Sequence, residues 1–195
     1  MKYSKKKIIL SVLLLIVCCT LFPYRGISFS KMPEVHEGDV IFHTSKSSQS
    51  TLIAAATGSP LTHCGIIVIR KGEPYVLEAS STLKLTPLKA FIKRGKNGAY
   101  WIKHPKGVDG NVKIRYSHLL DRRYDLAFSF KNDKYYCSEL VYDIYKHQLG
   151  ITLCKPRQIK SYHIIGMKKV MRRRGIDPEA YAVAPSDLFE SGKWK

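Results

Sequence analysis

The sequence predicts an α+β domain, and three observations carry that prediction. A β-prone run from His63 to Ile69 and a second from Tyr75 to Ala79 flank the turn Arg70-Lys-Gly-Glu73, which reads as a hairpin. The segment Asp133 to Gly150 places Leu140, Val141, Ile144, Tyr145 and Leu149 on one face at helical spacing. Between and around them strands and helices follow one another without the regular alternation of a parallel βαβ sheet.

The elements follow in order. Gly38-Asp39 opens the short β-prone run Val40-Ile41-Phe42-His43. Ser45 to Ser50 is polar and reads as a loop, and Thr51 to Thr57 as a helix stopped by Gly58-Ser-Pro60. Both hairpin strands are apolar on both faces, so the sheet is expected to be covered on both sides. Leu88 to Asn97 reads as helix and Ala99 to Lys103 as strand, while Asn111 to Asp121 fits neither pattern. In the long helix, Asn132 or Asp133 is expected to cap the start and Gly150 to mark the end. A basic helix around Lys168 to Arg174 and an irregular tail complete the chain.

The first 31 residues stand apart. Lys2, Lys5, Lys6 and Lys7 precede the uncharged apolar run Ile8 to Phe22, the pattern of a secretory signal or an uncleaved anchor. That run is shorter than the roughly 20 residues that span a bilayer as a helix. Cys18 and Cys19 raise the lipoprotein alternative, although neither follows a small residue. The expectation is an exported or membrane-anchored protein of the cell envelope. Residues 1–31 would be signal peptide, anchor or atypical lipoprotein segment, and 32–195 one folded domain.

Charge bounds the partners. The chain carries 33 Lys and Arg against 15 Asp and Glu, a net +18, and the first 31 residues hold six of the basic residues and none of the acidic ones. Such a surface favours membrane headgroups or acidic wall polymers. Export and the lack of any nucleic-acid-binding motif argue against nucleic acid as a partner.

Three cysteines follow residue 31: Cys64, Cys137 and Cys154. An odd count in an exported chain leaves at least one thiol unpaired within the monomer, and the spacings fit no zinc pattern. Cys137 falls near the first turn of the long helix, where the helix dipole favours a thiolate. With Lys71-Gly72 as a two-residue turn, Arg70 pairs with Glu73, and His63 and Glu78 become diagonal neighbours on one sheet face. In that register the carboxylate can orient the imidazole while its other nitrogen takes the thiol proton. A one-residue slip would separate them. The same register points Cys64 away from His63. A buried structural cysteine, a core histidine, or a metal site built from His63, Glu78 and Cys137 are the competing readings of these residue types.

The segments Glu37-Gly-Asp-Val-Ile-Phe42, Ser45-Lys-Ser-Ser-Gln-Ser50, Thr62-His-Cys-Gly-Ile-Ile-Val68, Tyr75-Val-Leu-Glu-Ala79, Thr86-Pro-Leu-Lys89, Tyr124-Asp-Leu-Ala-Phe128 and Tyr135-Tyr-Cys-Ser-Glu-Leu-Val141 together resemble the YiiX/YaeF-like family. These are circularly permuted, NlpC-like members of the papain-like superfamily, and the likeness runs from about residue 35 to 190. The resemblance implies a permuted papain-like fold, with an antiparallel sheet packed against helices. It also implies His63 as base, Glu78 as orienting group and Cys137 as nucleophile. Asp121-Arg-Arg123 departs from the Gly-Lys-Pro of many relatives, so the local turn and the groove beside it are expected to differ. A hydroxyl of Tyr135 or Tyr136, or the Cys137 backbone N–H, is the expected oxyanion donor.

The function that follows is a cysteine hydrolase cleaving an amide or acyl bond through an acyl-enzyme, with cell-envelope peptides as the first expected substrate. A lipid acyl hydrolase or acyltransferase, and a non-catalytic binding module on the same fold, are the alternatives. The resemblance implies no metal or organic cofactor. Its partners would be a peptide or acyl substrate of the envelope, and the membrane through the N-terminal segment.

Overall fold

The computed structural model describes residues 32–108 and 112–195, so the expectations for the N-terminal segment lie outside the described residues. No helix among the described residues is long and apolar enough to cross a membrane.

Five antiparallel strands form the main sheet: β1 (Val40–His43), β2 (His63–Arg70), β3 (Glu73–Ala79), β4 (Leu83–Pro87) and β5 (Trp101–Lys103). Their spatial order is β4-β3-β2-β1-β5, which puts β2 at the centre with a partner on each side. The hairpin register is the expected one, with Arg70 opposite Glu73 and Ile66 opposite Leu77. The turn sets it. Lys71 and Gly72 have φ of 51° and 82°, the double left-handed geometry whose twist matches two antiparallel strands. Gly65 keeps the two strands close. A Cβ there would come within 2.5 Å of Val76 Cγ1 and 2.7 Å of the Leu77 carbonyl oxygen.

Both sheet faces are covered, as the two-sided apolar strands require. On one face Val40, Phe42, Cys64, Ile66, Val68 and Leu77 pack under the long helix α3 (Cys137–Gln148). On the other, Ile41, Ile67 and Val76 pack under Phe91 and Ile92 of α2 (Leu88–Arg94). The helix α1 (Ser50–Thr57) ends at Gly58, whose φ of 65° is the left-handed stop the sequence marks. A two-stranded ribbon, β6 (Arg157–Gln158) with β7 (Tyr181–Ala182), brackets the basic helix α4 (Lys168–Arg174), and α5 (Pro185–Phe189) follows. Beneath them Tyr136, Ile159, Met171 and Ala182 form a third, smaller apolar cluster.

Two readings of local structure are corrected. Strand β4 is absent from the sequence reading, because its alternating run Leu83-Lys84-Leu85-Thr86 is only four residues long before Pro87. The long helix begins four residues later than expected. Neither Asn132 nor Asp133 caps it. Asn132 instead accepts the Lys134 N–H at 2.8 Å, and Tyr135 bridges to Tyr124, which holds the approach to the helix extended. Tyr136 is the N-cap, its own N–H donating to Glu139 at 3.2 Å, and Cys137 is the first helical residue.

Candidate active site

The site forms where the start of the central strand meets the start of α3. His63 opens β2 and lies on the α2 face of the sheet, as does Glu78 on β3. The diagonal relation read from the register is realised: His63 Nε2 lies 2.6 Å from Glu78 Oε2. Glu78 is completely buried, and a buried carboxylate is costly unless its oxygens are met. Its second oxygen accepts from the Thr86 hydroxyl at 2.5 Å and from the guanidinium of Arg94. Burial pushes this carboxyl up, but His63, Thr86 and Arg94 outweigh it and hold the pKa at about 2. Glu78 is therefore an anion.

With Nε2 committed to Glu78, Nδ1 is the ring nitrogen left for Cys137, whose thiol hydrogen-bonds His63. Burial lowers the imidazole's pKa, yet its bonds to Cys137 and Glu78 and their charges raise it to about 9. Cys137 sits at the first position of α3, where its backbone N–H has no intrahelical partner and the dipole favours an anion. Its pKa is lowered well below that of an ordinary thiol. The hydrogen bond from Cys64 is the chief cause, and His63 adds to it against the cost of burial. The three residues thus make a thiolate–imidazolium pair backed by a carboxylate.

Several groups around this pair escaped the sequence reading. Cys64 does point to the opposite sheet face from His63, but that face is where α3 lies, so its thiol meets Cys137. Burial and the charge of Cys137 push the Cys64 thiol well above its ordinary value, so Cys64 keeps its proton and donates it. His43, paired across the sheet with His63, stacks on Phe91 at 4.3 Å between ring centroids, and Phe91 lies 5.5 Å from His63. Burial, with His63 and Arg94 nearby, lowers the His43 pKa to about 3, so it is a neutral wall behind the imidazolium. Arg94 lies outside every segment that carries the family likeness, and Thr86 lies inside one without any role assigned to it there. Cys154 takes no part, its thiol being pushed up to about 12 by burial and by Asp187.

Of the tyrosines beside the thiol, Tyr135 spends its phenolic proton on Asp143 at 3.2 Å, while the Tyr136 hydroxyl accepts from the Val183 N–H at 3.1 Å. Tyr124 is the tyrosine close enough to feel both Cys137 and Cys64, and burial first, then Cys137, raises its hydroxyl well above the ordinary value. Its oxygen accepts from Gln49 Nε2 at 3.1 Å, which leaves the phenolic proton to donate. The Asp121-Arg-Arg123 turn, with Asp121 at φ 66°, is pinned to β4 by Leu83 N–H to Arg122 C=O at 2.9 Å.

A model of the permuted papain-like amidases of the YaeF/YiiX type, the C92 peptidase family, matches residues 34–195. The chain belongs to that family. It is accordingly a hydrolase of the papain-like cysteine amidase and peptidase kind. It is 34% identical to YiiX, an uncharacterized protein of Escherichia coli (strain K12), over 84% of this chain and 85% of that one. A crystal structure described as metalloprotein yiiX from Escherichia coli O157:H7 superposes with a TM-score of 0.73 at 31% identity, covering 82% of this chain and 94% of that one. The permuted papain-like fold and the family resemblance expected from the sequence are both shown by these matches.

Proposed function

We propose that this C92-family hydrolase cleaves an amide or acyl bond through a covalent thioester on Cys137, with His63 as acid and base and Glu78 as its orienting group. The observation that carries the reading is the single imidazole bridging a fully buried carboxylate and a thiol at a helix N-terminus. Thiolate Cys137 attacks the substrate carbonyl. The Cys137 backbone N–H and the Tyr124 hydroxyl stabilise the oxyanion, and His63 gives its proton to the leaving group. Neutral His63 then takes a proton from water, which attacks the thioester and restores the thiolate. Glu78 keeps the imidazole oriented through both steps and stabilises its charged form.

The apolar N-terminal run and the positive surface support a site of action at the cell envelope, with the first 31 residues holding or directing the chain to the membrane. The relative described as a metalloprotein directs attention to His36, Asp39 and His104, which bring three ligand atoms within 4.8 Å of one another. Asp39 is buried, and its carboxylate already meets His104 Nδ1 at 3.0 Å. Two imidazoles and a carboxylate suit zinc or a similar divalent cation. These residues would hold it at the end of β1 opposite His43, where it would staple the segment entering β1 to the end of β5 and take no part at Cys137.

The test is alkylation by iodoacetamide near pH 6, mapped by mass spectrometry. Cys137 should react fast, Cys64 and Cys154 slowly, and His63→Ala should slow Cys137 alone. A folded protein in which Cys137 reacts no faster than Cys154 would remove the nucleophile assignment.

A further inference from the structure

Cys64 is a buried nucleophile that hydrolysis leaves unused. As the hydrogen-bond donor to Cys137 it does what a hydroxyl would do better, since a thiol is the weaker donor. What only a thiol adds at that position is a covalent bond to the sulfur it touches. Cys64 is the second residue of β2 and Cys137 the first of α3, and both belong to the core cluster between the sheet and that helix. Both are free thiols in hydrogen-bond contact, so closing to the bond length of about 2 Å asks for a short approach rather than a refolding. Access differs between them. Cys137 forms part of the wall of an apolar cavity of about 780 Å³, counting its open mouth, together with Leu52 of α1, Ile159 and Met171 of α4. Cys64 is wholly buried and is not among the described lining residues. A small oxidant therefore meets Cys137 first and Cys64 only through it. Peroxides oxidise the thiolate form, and a reachable thiolate with a second thiol against it is the arrangement of a reversible redox site.

We propose that Cys64 and Cys137 form a reversible disulfide on exposure to hydrogen peroxide, which silences the hydrolase and protects its nucleophile from irreversible oxidation. The inference rests on Cys137 as the reactive thiolate and adds a modification of that site. Cys137 Sγ attacks one peroxide oxygen, the oxygen–oxygen bond breaks, and the departing hydroxide takes the His63 proton and leaves as water. The peroxide is reduced and Cys137 becomes a sulfenic acid. Cys64 Sγ then attacks Cys137 Sγ, the sulfur–oxygen bond breaks, and hydroxide leaves with the Cys64 proton as a second water. His63 is left neutral, with no thiol to serve. A dithiol reductant, itself oxidised to a disulfide, returns both thiols.

The experiment uses the full chain in detergent, reduced with dithiothreitol, freed of it and exposed to hydrogen peroxide. Remaining thiols are blocked with N-ethylmaleimide, and non-reducing peptide mapping by mass spectrometry reads every cysteine, Cys18 and Cys19 included. The Cys64–Cys137 cross-link should be the main product. Fast iodoacetamide labelling of Cys137 should be lost with it and recovered almost fully by dithiothreitol. Cys64→Ser keeps a donor but not the resolving thiol. Its Cys137 should pass to the sulfinic acid, and the labelling recovered by dithiothreitol should fall at least about tenfold. Should that variant not fold, the wild-type cross-link map decides by itself. A wild-type Cys137 found as sulfinic acid beside a free Cys64, or joined to Cys154 instead, would overturn this inference alone. So would a Cys137 that alkylates fast but resists peroxide. A folded protein whose Cys137 neither alkylates nor oxidises would instead overturn the nucleophile reading beneath it.

Discussion

The role of Cys64 gives the sharpest quantitative test, because the strand register alone only points it away from His63 and says nothing of the reacting thiol. Its buried S–H donates to Cys137 and is the leading cause of that thiol's lowered pKa. A hydrogen bond to a charged group is worth about 1.5–3 kcal/mol, and a thiol, as a weak donor, belongs at the low end. About 1.5 kcal/mol corresponds to roughly one pKa unit. Cys64→Ala should therefore raise the midpoint of Cys137 alkylation by about one unit and slow the reaction about tenfold below that midpoint. Cys64→Ser, which restores a donor, should return most of the shift. The assay is iodoacetamide kinetics at Cys137 across pH 4 to 9, with thermal unfolding to confirm the fold, since emptying this buried position costs about 1 kcal/mol. A folded Cys64→Ala protein with an unmoved midpoint would refute the reasoning. Equal shifts in the alanine and serine variants would assign the effect to packing.

Further outcomes follow from the same geometry. Glu78→Gln keeps a hydrogen bond to His63 but not the charge. The pKa near 9 should fall, the alkaline limb of kcat/KM should move to lower pH, and turnover should drop by about 10²–10⁴. A fully active variant would mean that another group orients His63. Glu78 is held at about 2 against an ordinary 4.5, so its contribution is fully present above about 4.5 and lost as pH falls toward 2. That is about 3 kcal/mol of acid-sensitive stability, and Glu78→Gln should flatten the chemical-denaturation profile across that window. Zinc at a hundredfold over its Kd should stabilise the protein by about 2.7 kcal/mol, and His36→Ala or His104→Ala should abolish the Tm shift. A chain beginning at Met32 should be soluble and unfold cooperatively; if it aggregates where the full chain in detergent does not, the domain boundary is wrong.

The hairpin and its register were legible because one local signal, Lys71-Gly72, fixes the pairing of every residue around it. The long helix was legible in its apolar face but not in its start, since an extended bridge between Tyr124 and Tyr135 competes with the Asn and Asp that precede it. Beyond the trio that the family likeness implies, contacts between distant segments carried no sequence signal. Arg94 on Glu78, Tyr124 beside Cys137 and Cys64 under α3 each depend on how the helices dock on the sheet. Cys64 is the instructive case: its sheet face was readable, but not that the same face receives the start of α3. The apolar cavity is a product of four separate stretches of chain, each unremarkable alone.

The start of α3 is clamped by residues far downstream: Ser138 donates to the Val183 carbonyl at 2.7 Å, and the Val183 N–H returns a bond to Tyr136. His63 and Glu78 precede Cys137 in the chain, and Val183, which holds the start of α3, follows it. The seat of the thiol is thus put together from segments on both sides of it, so a clip between α3 and Val183 would free the first turn of the helix without touching a single residue of the His63–Glu78 pair.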